Sequence, residues 1–179
     1  DTANTFFRAR HVIKGDADTK LGMAFHITLN GIRKAWQDFN GSHVVFCLEG
    51  RSWRKDYYKP YKANRAETRA AMTVKEQEED KLFWETFDSF KEFIINKTNC
   101  TVLQHSQLEA DDLIAGWIQS HPTDEHIIVS SDTDFYQLLG ENVKQYNGIS
   151  DELHTINGIF DKKGKLVIDK KTKEPILCG

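Results

Sequence analysis

The sequence predicts an α/β fold: a central, mainly parallel sheet flanked by helices. Short apolar runs alternate with stretches of helical periodicity, the pattern that crossover connections between parallel strands produce. Acidic residues follow the apolar runs at their carboxyl ends, where ligands bind in such sheets. At 179 residues the chain is long enough for one domain with a real core.

The elements follow in order. Asp1–Asn4 reads as the loop after a strand that the chain does not contain. Asp18 or Thr19 caps a helix running to about Phe39, with Leu21, Phe25, Leu29, Ile32, Trp36 and Phe39 recurring at helical spacing before Gly41 ends it. His43–Leu48 is a short apolar strand that runs out at Glu49-Gly50. Arg51–Arg69 is basic and aromatic, broken by Pro60. Thr73 and Glu76 have capping-box spacing and open a long helix with Phe83, Phe87, Phe90 and Ile94 on its inner face. Thr101–Leu103 is a strand, Leu108 to about Ser120 a helix, His126–Ser130 a strand and Phe135–Leu139 a short helix. Val143–Tyr146 is one more strand, and small strands and turns fill a β-rich tail over about 150–179.

The composition excludes several classes. Three well-separated cysteines, Cys47, Cys100 and Cys178, argue against a disulfide framework and a structural zinc site, and point to a reducing, intracellular setting. No apolar stretch approaches the ~20 residues of a membrane helix. The net charge of −3 hides a segregation, because Arg51–Arg69 carries seven Lys or Arg against Asp56 and Glu67. A basic segment beside acids suits a polyanion bound next to a metal. Taken alone, it also suits an ordinary solvated face.

The acids come in bursts: Asp1, Glu49, Glu109-Ala110-Asp111-Asp112 and Asp132-Thr133-Asp134. Two carboxylates about 4 Å apart repel by roughly 4 kcal/mol at an effective dielectric near 20, a large share of the roughly 5–15 kcal/mol that keeps a domain folded. Divalent ions relieve that repulsion, and an all-oxygen donor set points to Mg²⁺ or Mn²⁺. Glu109 and Asp112 lie on one face of a first helical turn, where the dipole favours negative charge, and Asp111 is offset. Each burst has a plainer reading: an acidic helix start for 109–112, and a cap for the helix after Asp132.

Read together, these motifs resemble the 5′-nuclease family, which includes phage and bacterial 5′→3′ exonucleases, flap endonucleases and phage ribonuclease H enzymes. Asp1-Thr-Ala-Asn4-Thr-Phe-Phe7-Arg8 is similar to the family's opening. Phe46-Cys-Leu-Glu49-Gly resembles its strand ending in a metal-site acid, with Glu in place of the usual Asp. Tyr61-Lys62-Ala-Asn-Arg65 is similar to its basic signature. Leu108–Asp112 and Ser130–Phe135 resemble its two acidic boxes almost letter for letter.

The resemblance implies a PIN-like 5′-nuclease core and Mg²⁺- or Mn²⁺-dependent phosphodiester cleavage near 5′ ends, with two ions in the full-length protein. It assigns Asp1, Glu49, Glu109, Asp111 and Asp132 to one metal, with Asp112 and Asp134 helping to hold a second. Lys62 and Arg65 become the catalytic cations. A helical arch over about 51–81 would bind the strand through Arg51, Arg54, Lys55, Lys59, Tyr61, Lys62, Arg65 and Arg69, and order on binding DNA. Phe7 and Arg8 are further candidates, Phe7 fitting simple packing as well, and Tyr61 fits a core tyrosine equally.

The implied partner is DNA with a 5′ flap or 5′ end, or an RNA–DNA hybrid, met by a monomer in the cytoplasm of a bacterial or phage-infected cell during replication and primer removal. Nothing after Tyr146 matches the family's further acidic motif or its C-terminal DNA-gripping helical module. The expectation is therefore an N-terminal catalytic core over 1–179 cut at both ends, which is inactive or weak alone. Two alternatives stay open: a PIN-type ribonuclease, and a non-catalytic protein that binds branched DNA.

Overall fold

The computed structural model describes Thr2, Thr5, Phe6 and residues 16–178. The chain runs through α1 (Ala17–Asp38), β1 (Val45–Cys47), α2 (Arg54–Tyr57), α3 (Ala63–Ala70), α4 (Val74–Lys97), β2 (Thr101–Leu103) and α5 (Ala110–Ser120). It continues through β3 (His126–Val129), a 3-10 helix (Thr133–Leu138), β4 (Val143–Asn147), β5 (Glu152–Thr155) and β6 (Gly158–Phe160). Two compact units result: Thr2–Asn30 with His43–Leu113, and Gly31–Ser42 with the chain from Ile114 onward.

The first unit is built on aromatic packing. Phe83, Phe87, Phe90 and Ile94 recur at helical spacing on α4 and are all buried. Phe6 packs its ring at a tilt or edge-on against Phe83, Phe87 and Phe90, each centroid 5.5 Å away. Phe90 also meets Phe25 at 5.0 Å and Phe46 at 5.9 Å. Such pairs add about 0.5–1.5 kcal/mol each beyond the area they bury. The expected capping box opens α4: the Glu76 N–H donates to Thr73 Oγ1 at 3.3 Å, and the Thr73 N–H donates to Glu76 Oε2 at 2.7 Å.

Strands β1 and β2 pair in parallel, Val45 opposite Thr101 and Cys47 opposite Leu103. The two segments stay zipped beyond the strands. Gly50 N–H donates to Leu108 O at 2.9 Å, Arg51 N–H to Ser106 O at 3.1 Å and Trp53 N–H to Gln107 O at 2.9 Å. Only glycine fits at the crossing, because a Cβ on residue 50 would lie 1.9 Å from His105 O and 2.6 Å from Leu108 O. This close approach carries Glu49 and Ser52 to the start of α5.

The second unit holds a four-stranded sheet in the order β3-β4-β5-β6. β3 and β4 are parallel, with Ile128 opposite Gln145, and the remaining pairs are antiparallel. Ile128, Phe135 and Val143 form its buried centre, with Ile114, Ile118 and Leu138 packed on it. Among the described residues the strands thus fall in two sheets, each with a parallel pair. The tail strands begin at Glu152, where an antiparallel meander extends the sheet directly from β4.

Candidate functional site: an acidic box clamped by arginine and lysine

The carboxylates of the first acidic box lie where loop 48–53 meets α5. Glu109 immediately precedes the helix and is 5% exposed. Its two oxygens have different partners. Oε2 accepts from Ser52 Oγ at 2.8 Å, Tyr61 Oη at 2.9 Å and Arg54 Nη1 at 3.0 Å. Oε1 accepts a short hydrogen bond from Lys62 Nζ. Burial alone would raise the pKa of Glu109, but the bonds from Lys62, Ser52 and Tyr61 outweigh it and hold the group below the usual carboxylate range.

Asp112, on the first turn of α5, is gripped by the Arg54 fork: Nη2 to Oδ1 at 2.7 Å and Nη1 to Oδ2 at 3.0 Å. Its Oδ2 also accepts from the Glu109 N–H at 3.0 Å. Arg54, foremost, lowers its pKa. Two cations and two carboxylates therefore balance one another in this nest.

Glu49 behaves differently. The residue keeps open surface, but its carboxyl meets the Ala110 N–H at 3.3 Å. Loss of water around that carboxyl raises its pKa despite the Ala110 bond, and the charges of Asp111 and Glu109 raise it further. An acid crowded by acids is the environment that a hard divalent cation relieves, and the donors are all oxygen. Glu49, Asp111 and Glu109 fit such an ion in chemistry. Among the described residues no group of three or more His, Cys, Asp or Glu side chains is already gathered to hold one. Burial would pull Lys62 down, but Glu109 raises it overall, while the nearby positive charge of Arg65 works against Glu109.

Lys62 has φ 54° and ψ 25°, a left-handed conformation that costs a non-glycine residue roughly 1–2 kcal/mol. Strain of this kind is kept where the surroundings demand it, here at the residue that reaches Glu109.

The remaining expected site residues fall as follows. Asp1, Phe7 and Arg8 lie outside the described residues. Asp132 and Asp134 belong to the second unit, where Asp132 Oδ1 accepts from the Asp134 N–H at 3.0 Å and caps the 3-10 helix. Arg51 pairs with Asp56. Lys55, Lys59, Arg65 and Arg69 are exposed and make no ion pair with another described residue. Tyr57 and Tyr58 stand out from the same segment, 85% and 63% exposed. Helices α2 and α3 form within the basic segment. Sequence reasoning missed Ser52, a buried donor to Glu109, and the engagement of Arg54 and Tyr61 with the acids. The only signal for either was Gly50, which marks a close backbone approach.

The family described as "5′-3′ exonuclease, N-terminal resolvase-like domain" matches residues 1–170. A ribonuclease H of Enterobacteria phage T4 is 30% identical over 166 residues, covering 86% of this chain and 50% of that protein. A DNA polymerase I of Rhizobium leguminosarum is 31% identical over 123 residues, covering 68% of this chain and 11% of that protein. The chain thus spans half or less of these relatives.

Among solved structures, the phage T5 5′-exonuclease with bound divalent zinc has a TM-score of 0.72 at 23% identity, over 87% of this chain and 56% of its own. A T5 flap endonuclease in a pseudo-enzyme-product complex with DNA and metal ions has a TM-score of 0.68 at 21% identity, over 88% of this chain and 56% of its own. At these identities the structures show the fold, which is that of the 5′-exonuclease core. No helix among the described residues is long and apolar enough to cross a membrane.

Proposed function

The chain belongs to the 5′-3′ exonuclease family through its N-terminal, resolvase-like domain, and from that membership we propose that it is the catalytic core of a metal-dependent 5′→3′ exonuclease or flap endonuclease. The observation that carries this reading is the contact between Lys62, reaching back from the basic segment, and Glu109 in the acidic box. It joins a phosphate-seeking group to a metal-seeking group.

Glu49, Glu109 and Asp111 would hold the ion, Mg²⁺ or Mn²⁺, and the full-length protein would use two. When bound, such ions supply a water of lowered pKa and offset charge on the attacked phosphate. Asp132, Asp134 and Asp1 are proposed for the same metal chemistry from their motifs alone. Lys62 is the partner that Glu109 can release, since among the described residues Oε1 accepts from it alone while Oε2 takes three other donors. The freed ammonium, with the guanidinium of Arg65, would steady the negative charge that develops on the phosphate. Exposed Lys55, Lys59 and Arg69 would follow the strand, and Tyr57 and Tyr58 offer faces for its bases.

The substrate would be DNA with a 5′ flap or 5′ end, or an RNA–DNA hybrid, cut by an intracellular monomer in replication and primer removal. The test is cleavage of a 5′-flap duplex by the natural full-length protein in Mg²⁺, with EDTA as control. Release of short 5′ products only with Mg²⁺ is expected. Binding without cutting would instead indicate a non-catalytic branched-DNA protein, and cutting confined to single-stranded RNA a PIN-type ribonuclease.

A further inference from the structure

We infer that Arg54 is a positioning residue for the acidic box and that Asp112 is its strut, an assignment that rests on the nuclease reading above. The guanidinium spans both Asp112 oxygens at 2.7 and 3.0 Å and reaches Glu109 Oε2 at 3.0 Å. Asp112 is also tied from behind, accepting the Glu109 N–H at 3.0 Å. That bond is the return half of a capping box, made from three residues into the turn. Every Asp112 oxygen therefore has a donor, and the carboxylate connects the start of α5 to the basic segment.

The backbone beneath Arg54 is hydrogen-bonded on both sides. Its N–H donates to Ser52 Oγ at 3.3 Å, the same hydroxyl that donates to Glu109 at 2.8 Å. The Trp53 N–H is fixed on Gln107 O at 2.9 Å. With Ser52, Arg54 and Tyr61 all on Oε2, the Glu109 carboxylate is held in one orientation, and Oε1 is the oxygen it presents. Lys55, Lys59, Arg65 and Arg69, exposed and without ion pairs to other described residues, are the cations free for a backbone of phosphates. Arg54 is not.

A lysine at position 54 would keep the charge but could not bridge both Asp112 oxygens, because an ammonium lacks the planar fork. Positioning and strand contact therefore make different predictions. The test uses the natural full-length protein with a 5′-flap duplex and the variants Arg54→Ala, Arg54→Lys, Asp112→Asn and Arg54→Ala/Asp112→Asn. Each single variant is expected to lower kcat by about tenfold or more through misplacement of Glu109. KM should stay within about twofold, and the double variant within about twofold of the worse single one.

In EDTA, the slope of log K for DNA against log salt should be unchanged in Arg54→Ala. A loss of about 0.9 from that slope would make Arg54 a phosphate contact and overturn the inference. So would unchanged kcat in Arg54→Ala, wild-type kcat in Arg54→Lys, or multiplicative losses in the double variant. If the alanine variant does not fold, the kcat of Arg54→Lys and Asp112→Asn decides. A wild-type protein that does not cut refutes the nuclease reading and this inference with it; a wild type that cuts while the variants keep their kcat refutes this inference alone.

Discussion

Replacing Gly50 with alanine tests how the site is assembled. The added Cβ would start 1.9 Å from His105 O, whereas ordinary contact begins near 3.4 Å, so backbone must retreat by about 1.5 Å. The obstacle is carbonyl oxygen on the opposing segment and cannot rotate away. Retreat breaks the 2.9 Å bond from Gly50 N–H to Leu108 O and strains its neighbours at Arg51 and Trp53. The lost bond at about 1 kcal/mol, its two weakened neighbours and the residual strain together place the cost at about 2–4 kcal/mol. Glu49 and Ser52 move with the loop, and a displacement of about 1 Å at a catalytic group costs on the order of 10²-fold in rate.

Urea unfolding followed by circular dichroism measures the first effect and single-turnover cleavage the second. Gly116→Ala on α5 is the control: nothing lies within 4 Å of its Cβ, and it should stabilise by about 0.5–1 kcal/mol. A Gly50→Ala protein within about 0.5 kcal/mol of wild type would refute the close approach as the device that builds the site.

Three further outcomes are expected. Lys62→Ala should lower turnover far more than affinity, and Lys62→Gly should unfold about 1 kcal/mol later than Lys62→Ala because glycine accepts the left-handed backbone without strain; equal stabilities would remove the strain argument. Asp132→Asn should abolish Mg²⁺-dependent cleavage while DNA binding holds or tightens, since repulsion of phosphate is relieved; retained turnover would remove Asp132 from the metal chemistry. In the second unit Asp151 accepts from Tyr146 Oη at 2.7 Å and Lys34 Nζ at 3.2 Å, and these bonds, Tyr146 first, hold its carboxyl below the usual carboxylate range. A carboxylate depressed on folding stabilises fully above its unfolded pKa and loses that contribution as pH falls through the folded value. Asp151→Asn should therefore flatten the stability profile below about pH 4 and leave its shape at higher pH unchanged, as read by thermal unfolding; an unaltered acid limb would contradict the assignment.

Local order was legible in the sequence because its causes are local. The Thr73–Glu76 box and the Phe83, Phe87, Phe90 and Ile94 stripe are short-range patterns, and α4 forms where they place it. The apolar runs at 45–47, 101–103 and 126–129 became strands for the same reason. The acidic boxes pointed to the site through their similarity to a family, not through spacing, which an ordinary helix start explains as well. What stayed hidden depends on partners far along the chain. Arg54 looked like one more cation in a basic run, yet its partners are 55 and 58 residues away. They meet it only because Gly50 lets two segments cross at backbone contact. The left-handed Lys62 leaves no mark on composition at all.

Anomalous scattering from crystals of the natural full-length protein soaked in Mn²⁺ bears on the central claim most directly. The account predicts a peak within coordination distance of Glu109, beside Glu49 and Asp111, with Lys62 withdrawn from Oε1 and Arg54 still on Asp112. A saturated crystal with no peak among these carboxylates, and with Lys62 still seated on Glu109, would contradict it.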